Sequence, residues 1–184
     1  MKAIATSLPG VILIELVEHE DARGHLVEVF HRERHAALGV AVGLDFVQDN
    51  VARSYGGVVR GLHYQLTVPQ GKLVSVIRGA IFDVVVDVRR GAPTFGAWYG
   101  TVLSADDRRQ LWIPPGFAHG YQAMGEVADI VYKLTAPYTP ADERALRWND
   151  PAIGIDWPRE DARVSARDAA APLLADAELP RYAP

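Results

Sequence analysis

The chain has 184 residues, 49% of them hydrophobic and 23% charged, no cysteine, and a formal net charge of -4 at pH 7. That length suits one domain with a full core, and the lack of cysteine excludes a disulfide framework or a thiolate metal site. The acidic balance argues against a broad nucleic-acid surface, although a few clustered cations can still hold a small anion.

The N-terminus lacks the basic, apolar and small-residue order of a signal peptide, and no stretch approaches ~18 apolar residues. The expectation is therefore a soluble, cytoplasmic protein with no membrane partner. In chain order, short segments rich in Val, Ile and aromatics predict strands: PGVILIELV, HLVEVF, LDFVQDNVARS, VVRGLHYQ, KLVSVIRG, AIFDVVVDVRR, WYGTVLS, RQLWIPP, GYQAM and ADIVYKLT. Turn clusters such as SYGG, RGAPTFG, SADDR and PPGFAHG separate them. Regular short strands of this kind predict an all-β antiparallel sandwich or barrel, without alternating βα units. Two short helices are expected, one over 31–39 ending at Gly39, and one over 165–179 with Ser165 as N-cap and Pro172 interrupting it. The whole chain, 1–184, reads as a single domain, with a core over about 10–158 and an Ala-rich appendage over about 159–184.

Alternation within AIFDVVVDVRR puts Phe82, Val84, Val86 and Val88 on one face, the expected core. Asp83, Val85, Asp87 and Arg89 fall on the other, which is either solvated or lines a polar cavity. The stretch GVVRGLHYQ poses a sharper question, because Arg60 and His63 interrupt what is otherwise a buried strand. Side chains alternate along a regular strand, so residues three apart point to opposite faces. A bulge at Gly61 would shift the parity and bring both to one side. With Gln48, Asn50, Gln65 and Lys72 on neighbouring segments, a polar barrel mouth is a better account than several buried polar residues each needing its own partner.

The segment IPPGFAHGYQ adds His119 at the spacing P-x-G-x-x-H, met by Pro114, Gly116 and His119, which matches the second half of the cupin signature. A metal cupin needs two histidines one residue apart followed by a glutamate. This chain has His63, then Gln65 in place of the second histidine, and Pro69 and Gln70 in place of the glutamate. That is a poor ligand set for Fe, Mn or Zn. The expected fold is a cupin-type jelly roll (a double-stranded β-helix) with few short helices and no metal site.

Together FVQDNVARSYGGVVRGLHYQ, QGKLVSVIRGAIFDVVVDVRRGAPTFGAWYG, RRQLWIPPGFAHGYQ, DIVYKLTAPYTPADE, WNDPAIGIDWP and VSARDAAAP resemble the dTDP-4-dehydrorhamnose 3,5-epimerase family, from about Glu15 to Pro172. The resemblance implies a metal-free enzyme that needs no organic cofactor. It would act on dTDP-4-keto-6-deoxyglucose, inverting C3 and C5. The alternative is a relative that inverts only one carbon, C3 or C5. A metal-dependent cupin and a non-catalytic sugar-binding cupin are rivals from other classes. Gln65 counts against the first, and the presence of Tyr132 and Asp168 against the second.

Inverting a carbon beside a ketone needs a base on one face, an acid on the other, and positive charge for the enolate between them. His63 resembles the family's base, and an imidazole, with a model-compound pKa near ~6.5, suits that role at neutral pH. Asp168 matches the carboxylate that pairs with it, Tyr132 the acid, and Lys72 the cation beside the C4 oxygen. Arg23, Glu28, Gln48, Asn50, Arg60, His119, Glu143 and Arg167 stand where the family contacts substrate, and Tyr138 matches the aromatic that stacks on thymine. Arg167 replaces a more usual lysine, and the His63–Lys72 segment is one residue shorter than usual, so the placement of Lys72 is for the fold to decide. Arg23 and Glu28 lie in DARGHLVEVF, a hairpin that in the family completes the neighbouring subunit's site, which implies a homodimer with N-terminal strand exchange.

Overall fold

In the computed structural model, which describes residues 1–182, the β-branched and aromatic segments become strands. They are β1 Lys2–Ala5, β2 Ile12–Glu15, β3 Glu18–Asp21, β4 Gly24–Val27, β5 Gln48–Tyr55, β6 Val58–Gln65 and β7 Lys72–Arg78. The remainder are β8 Ala80–Asp87, β9 Trp98–Ser104, β10 Arg109–Ile113, β11 Phe117–Ala123, β12 Val127–Leu134, β13 Glu143–Ala145 and β14 Arg163–Val164. The helices are α1, Arg32–Ala37, and α2, Ala166–Ala169.

One large sheet runs β1-β2-β10-β7-β12-β5; the other runs β13-β6-β11-β8-β9, with β14 added to β6; β3 and β4 form a separate hairpin. Among the described residues every ladder is antiparallel except that of β14 with β6. The two sheets close on one core, in which Val74, Leu111, Ile113 and Ile130 of the first meet Ile81, Val85, Leu103 and Phe117 of the second. This is the expected all-β, cupin-type jelly roll. Among the described residues no helix is long and apolar enough to cross a membrane.

A second apolar layer lies behind the β6–β11–β8 wall. Leu62, Tyr64, Val84, Val86 and Ala118 pack there under Leu146, Ile153, Leu174 and Ala177. The expected core face of AIFDVVVDVRR is thus buried by the C-terminal segment rather than inside the barrel. Its other face is not solvated, since Asp83 and Asp87 are both 0% exposed. Asp87 is held by Arg89, at 2.9 and 2.7 Å, and by Thr94 at 2.6 Å, which satisfies a buried carboxylate.

The helix expected over 165–179 is confined to α2. Ser165 caps it as predicted, its hydroxyl accepting from Asp168 N–H at 3.0 Å. Pro172 carries no N–H to continue the ladder, and residues beyond it follow the outside of β6 instead. Tyr64 Oη donates to Glu178 O at 2.5 Å, and Leu174 N–H to Asp150 Oδ2 at 2.6 Å. The first helix matches expectation closely, ending before Gly39 at a φ of 89°. Strands β1, β3, β13 and β14 were not expected. β3 is EHED and wholly exposed, so no burial pattern marks it.

Candidate active site

The strand β6 answers the question of parity. His119 on β11 stands opposite His63, and Tyr121 opposite Arg60, so two residues of β11 span three of β6. The extra residue is a bulge at Gly61, and it turns Arg60 and His63 to the same cavity. Only glycine fits there. Its φ is +106°, and a Cβ would sit 2.5 Å from His119 O and 2.7 Å from Gly120 Cα.

The cavity, about 380 Å³ in volume, opens between the two sheets. Nine of the expected site residues line it. His63, Arg60 and His119 come from β6 and β11; Gln48, Asn50, Lys72 and Tyr132 come from β5, β7 and β12 on the facing wall; Tyr138 and Glu143 stand at the rim.

His63 Nε2 lies 2.7 Å from Asp168 Oδ1. Because a carboxylate only accepts, Nε2 carries the proton of that bond and the lone pair is left on Nδ1. Gly61 N–H donates to the other oxygen of Asp168 at 3.4 Å. Burial alone would raise the Asp168 carboxyl. The bond to His63, the charge of that imidazole, the Gly61 amide and the Ser165 hydroxyl outweigh it and hold the carboxyl below the usual range. The short helix α2 therefore serves to deliver one carboxylate to the back of His63.

Lys72 is buried, and its Nζ donates to His63 O at 3.2 Å, so the shortened His63–Lys72 segment still brings it to the cavity. Desolvation lowers its pKa to about 8, against a pull upward from Glu143 and Asp83. Tyr132, in β12, rises from the sheet opposite His63. Arg60 is held in place by Ser54 Oγ at 2.9 Å and Arg53 O at 3.1 Å. Glu143 accepts from Tyr138 Oη at 3.0 Å and pairs with Arg167, which lines an adjoining cleft beside Asp168.

Arg23 and Glu28 are not brought to this cavity. They belong to the β3–β4 hairpin and the segment after it, where Arg23 pairs with Asp21 at 2.6 Å and Glu28 with Arg34 at 2.9 Å. Gln70 was expected only as a residue that spoils a metal site, and Gln65 both as such a residue and as part of the polar barrel mouth, where the structure does not place it. Gln70 lines the cavity, whereas Gln65 turns beneath the loops and bonds backbone groups. Among the described residues no group of three or more His, Asp and Glu side chains converges to hold a metal ion.

Two site residues escaped the sequence reading. Tyr121 lines the cavity and bonds Ser54 Oγ at 2.9 Å. Asp83 lies on the barrel face of β8, with Oδ1 2.7 Å from His119 Nε2, giving a second imidazole–carboxylate pair. Its position on a mixed charged and apolar face was the only hint.

The family model described as dTDP-4-dehydrorhamnose 3,5-epimerase matches residues 5–176. The dTDP-4-dehydrorhamnose 3,5-epimerase of Pseudomonas aeruginosa is 48% identical over 181 residues, covering 97% of this chain and 98% of the relative. Among solved structures, the chain is similar to the dTDP-6-deoxy-D-glucose-3,5-epimerase of Legionella pneumophila in complex with dTDP-4-keto-L-rhamnose. The TM-score is 0.96 at 46% identity, covering 100% of this chain and 99% of that one. A 3′-monoepimerase of Streptomyces bikiniensis, solved with dTDP-quinovose, is similar at a TM-score of 0.88 and 37% identity, covering 96% of this chain and 92% of that one.

Proposed function

The chain belongs to the dTDP-4-dehydrorhamnose 3,5-epimerase family, and on that premise we propose how its cavity converts dTDP-4-keto-6-deoxy-D-glucose to dTDP-4-keto-L-rhamnose. The observation that carries the reading is the placing of a carboxylate-backed imidazole and a phenol on opposite walls of one cavity. His63 removes the proton from the carbon next to the C4 ketone. The electron pair moves into the carbonyl, and the Lys72 ammonium stabilises the oxygen of the resulting enolate. Tyr132 then returns a proton to the opposite face, inverting the carbon. His63 has gained a proton and Tyr132 lost one, and exchange with solvent resets both before the second carbon reacts.

Asp168 keeps the proton on Nε2 and stabilises the imidazolium once His63 has taken up the substrate proton. Arg60 and Arg167 supply forked donors for the diphosphate. Tyr138 stacks on the thymine, and Gln48, Asn50, His119 and Glu143 supply the remaining polar contacts. Arg23 and Glu28, which stand away from their own cavity, complete the site of a second copy in a homodimer with N-terminal strand exchange. The chain acts as a single cytoplasmic domain, and no metal or organic cofactor takes part; elemental analysis of active protein would show no stoichiometric metal.

The test is proton NMR of dTDP-4-keto-6-deoxyglucose with the purified protein in D2O. Loss of both the C3 and C5 proton signals supports two-centre epimerisation. The likeness to a 3′-monoepimerase supplies the second reading, for which C3 alone would exchange. Exchange at neither carbon would overturn the substrate assignment. In the same assay Tyr132→Phe is expected to lower product formation by about 10²-fold, the scale of one general acid. Deuterium incorporation with retained configuration should fall far less; equal loss of both would remove Tyr132 from the role of one-sided acid.

The lowered pKa of Lys72 has a definite sign. The cation is the useful form, so kcat/KM is expected to fall as pH rises through about 8. Arginine stays protonated across that range, so Lys72→Arg should lose this limb while keeping part of the activity. A wild-type profile flat from pH 7 to 9.5 would remove the charge of Lys72 from the mechanism.

A further inference from the structure

Tyr138 presents an aromatic ring to the cavity rim from a loop, yet the backbone around it is fixed at four successive residues. Gln70 Nε2 donates to Ala136 O at 2.8 Å, and Gln65 Nε2 lies 3.4 Å from Pro137 O. Tyr138 N–H donates to Gln48 Oε1 at 2.8 Å, and Thr139 N–H to Gln65 Oε1 at 2.7 Å. Three glutamines, at the start of β5, the end of β6 and the loop before β7, thus hold one loop. Gln65 also donates to Val68 O at 2.8 Å, while Asp142 accepts from Val68 N–H at 2.8 Å and Thr67 N–H at 2.9 Å. The 66–70 loop and the Tyr138 loop are therefore tied to each other by Gln70, Asp142 and Gln65, and of these Gln65 bonds backbone groups of both loops. Gln65 is 3% exposed, whereas Tyr138 remains 43% exposed, its hydroxyl donating to Glu143.

We infer that Gln65 is a positioning residue for nucleotide recognition, its amide bracketing Tyr138 so that the ring is held ready to stack on the base. This rests on the stacking role given to Tyr138 above. Holding a recognition ring in its bound orientation before the ligand arrives removes the entropy of ordering it at binding. Gln48 and Gln70 line the cavity themselves, so substituting either could alter ligand contact directly. Gln65 does not line it, and acts only through the two loops. The position where a metal cupin would carry its second histidine is in this chain committed to backbone groups.

The test is the affinity of dTDP, measured by titration calorimetry, for wild type, Gln65→Glu, Gln65→Leu, Tyr138→Ala and the double variant Gln65→Glu/Tyr138→Ala. Thermal unfolding checks that each is folded. Gln65→Glu keeps the acceptor for Thr139 N–H and loses the donors to Val68 and Pro137; Gln65→Leu removes both. Tyr138→Ala is expected to weaken dTDP about tenfold, the scale of one lost stacking contact. Gln65→Glu should weaken it about fivefold in wild type but less than about twofold in the Tyr138→Ala background, because the two residues act as one unit. With sugar nucleotide as substrate, KM should rise by a similar factor while kcat stays within about twofold. Inorganic pyrophosphate, which has no base to stack, should bind wild type and Gln65→Glu alike. Equal loss in both backgrounds, or a fall in kcat without a change in KM, would reduce Gln65 to a general support of the fold. Unchanged dTDP affinity in both Gln65 variants, beside a loss in Tyr138→Ala, overturns the inference alone. Unchanged affinity in Tyr138→Ala overturns the stacking role as well.

Discussion

Replacing His63 by alanine is expected to lower kcat by about 10³–10⁴-fold, the upper range for loss of a general base, while dTDP affinity stays within about an order of magnitude. The imidazole stands on the β6 bulge at the cavity wall, and its only side-chain partner among the described residues is Asp168. No other imidazole in the cavity is placed to substitute for it, because His119 is tied to Asp83 and buried in the wall. The change should therefore show in deuterium exchange at both carbons as well as in turnover. His63→Asn, closer in size, separates chemistry from the cavity an alanine leaves. If either variant kept more than about a tenth of wild-type exchange, proton abstraction would have to be reassigned.

The second large effect is expected at Asp168. Asp168→Asn keeps the shape of the side chain but can present an amide N–H to Nε2, which would move the imidazole proton to Nδ1 and remove the lone pair needed for abstraction. A loss of about 10³-fold in kcat follows, close to that of removing the base, because the two residues act as one unit. His63→Ala/Asp168→Asn should be little worse than His63→Ala. Additive losses in that double variant would mean that Asp168 acts on something other than His63. The same residue has a signature in stability. Its carboxyl titrates below its ordinary value, so the ionised form stabilises the fold above about pH 4, and that contribution is lost as pH falls through the lowered value. Asp168→Asn should accordingly show a shallower loss of melting temperature between pH 5 and pH 3 than wild type, as read by thermal unfolding at fixed ionic strength.

Much of the jelly roll is legible in the chain because strand segments carry their own signal. KLVSVIRG, WYGTVLS and ADIVYKLT are β-branched and aromatic, and they fall on β7, β9 and β12 nearly residue for residue. EHED carries no such signal, and it becomes β3 only because the segment after it folds back beside it. AIFDVVVDVRR shows where a period-two pattern stops being decisive. Both of its faces are buried, one in the barrel and one under the C-terminal segment, and alternation cannot distinguish two kinds of burial. The expected helix over 165–179 failed beyond Ala169 for a related reason. Alanine-rich composition favours helix locally, but Pro172 interrupts it and the apolar Leu174 and Ala177 find a larger gain against the outside of the sheet.

The sequence by itself determined most of the strand segments, the backbone freedom at position 61 that a bulge can use, and the identity of the polar side chains that interrupt apolar strands. Those are properties of a residue and its near neighbours, expressed through backbone freedom and periodicity. Only the tertiary structure decided which of those side chains meet. His63 and Asp168 lie 105 positions apart, His119 and Asp83 lie 36 apart, and Gln65 reaches Thr139 across 74. Such pairings depend on strand register and on where the C-terminal segment packs, which are set by the burial of the whole chain and by no local pattern. For the same reason Arg23 and Glu28, plausible site residues by resemblance, stand away from the cavity of their own chain.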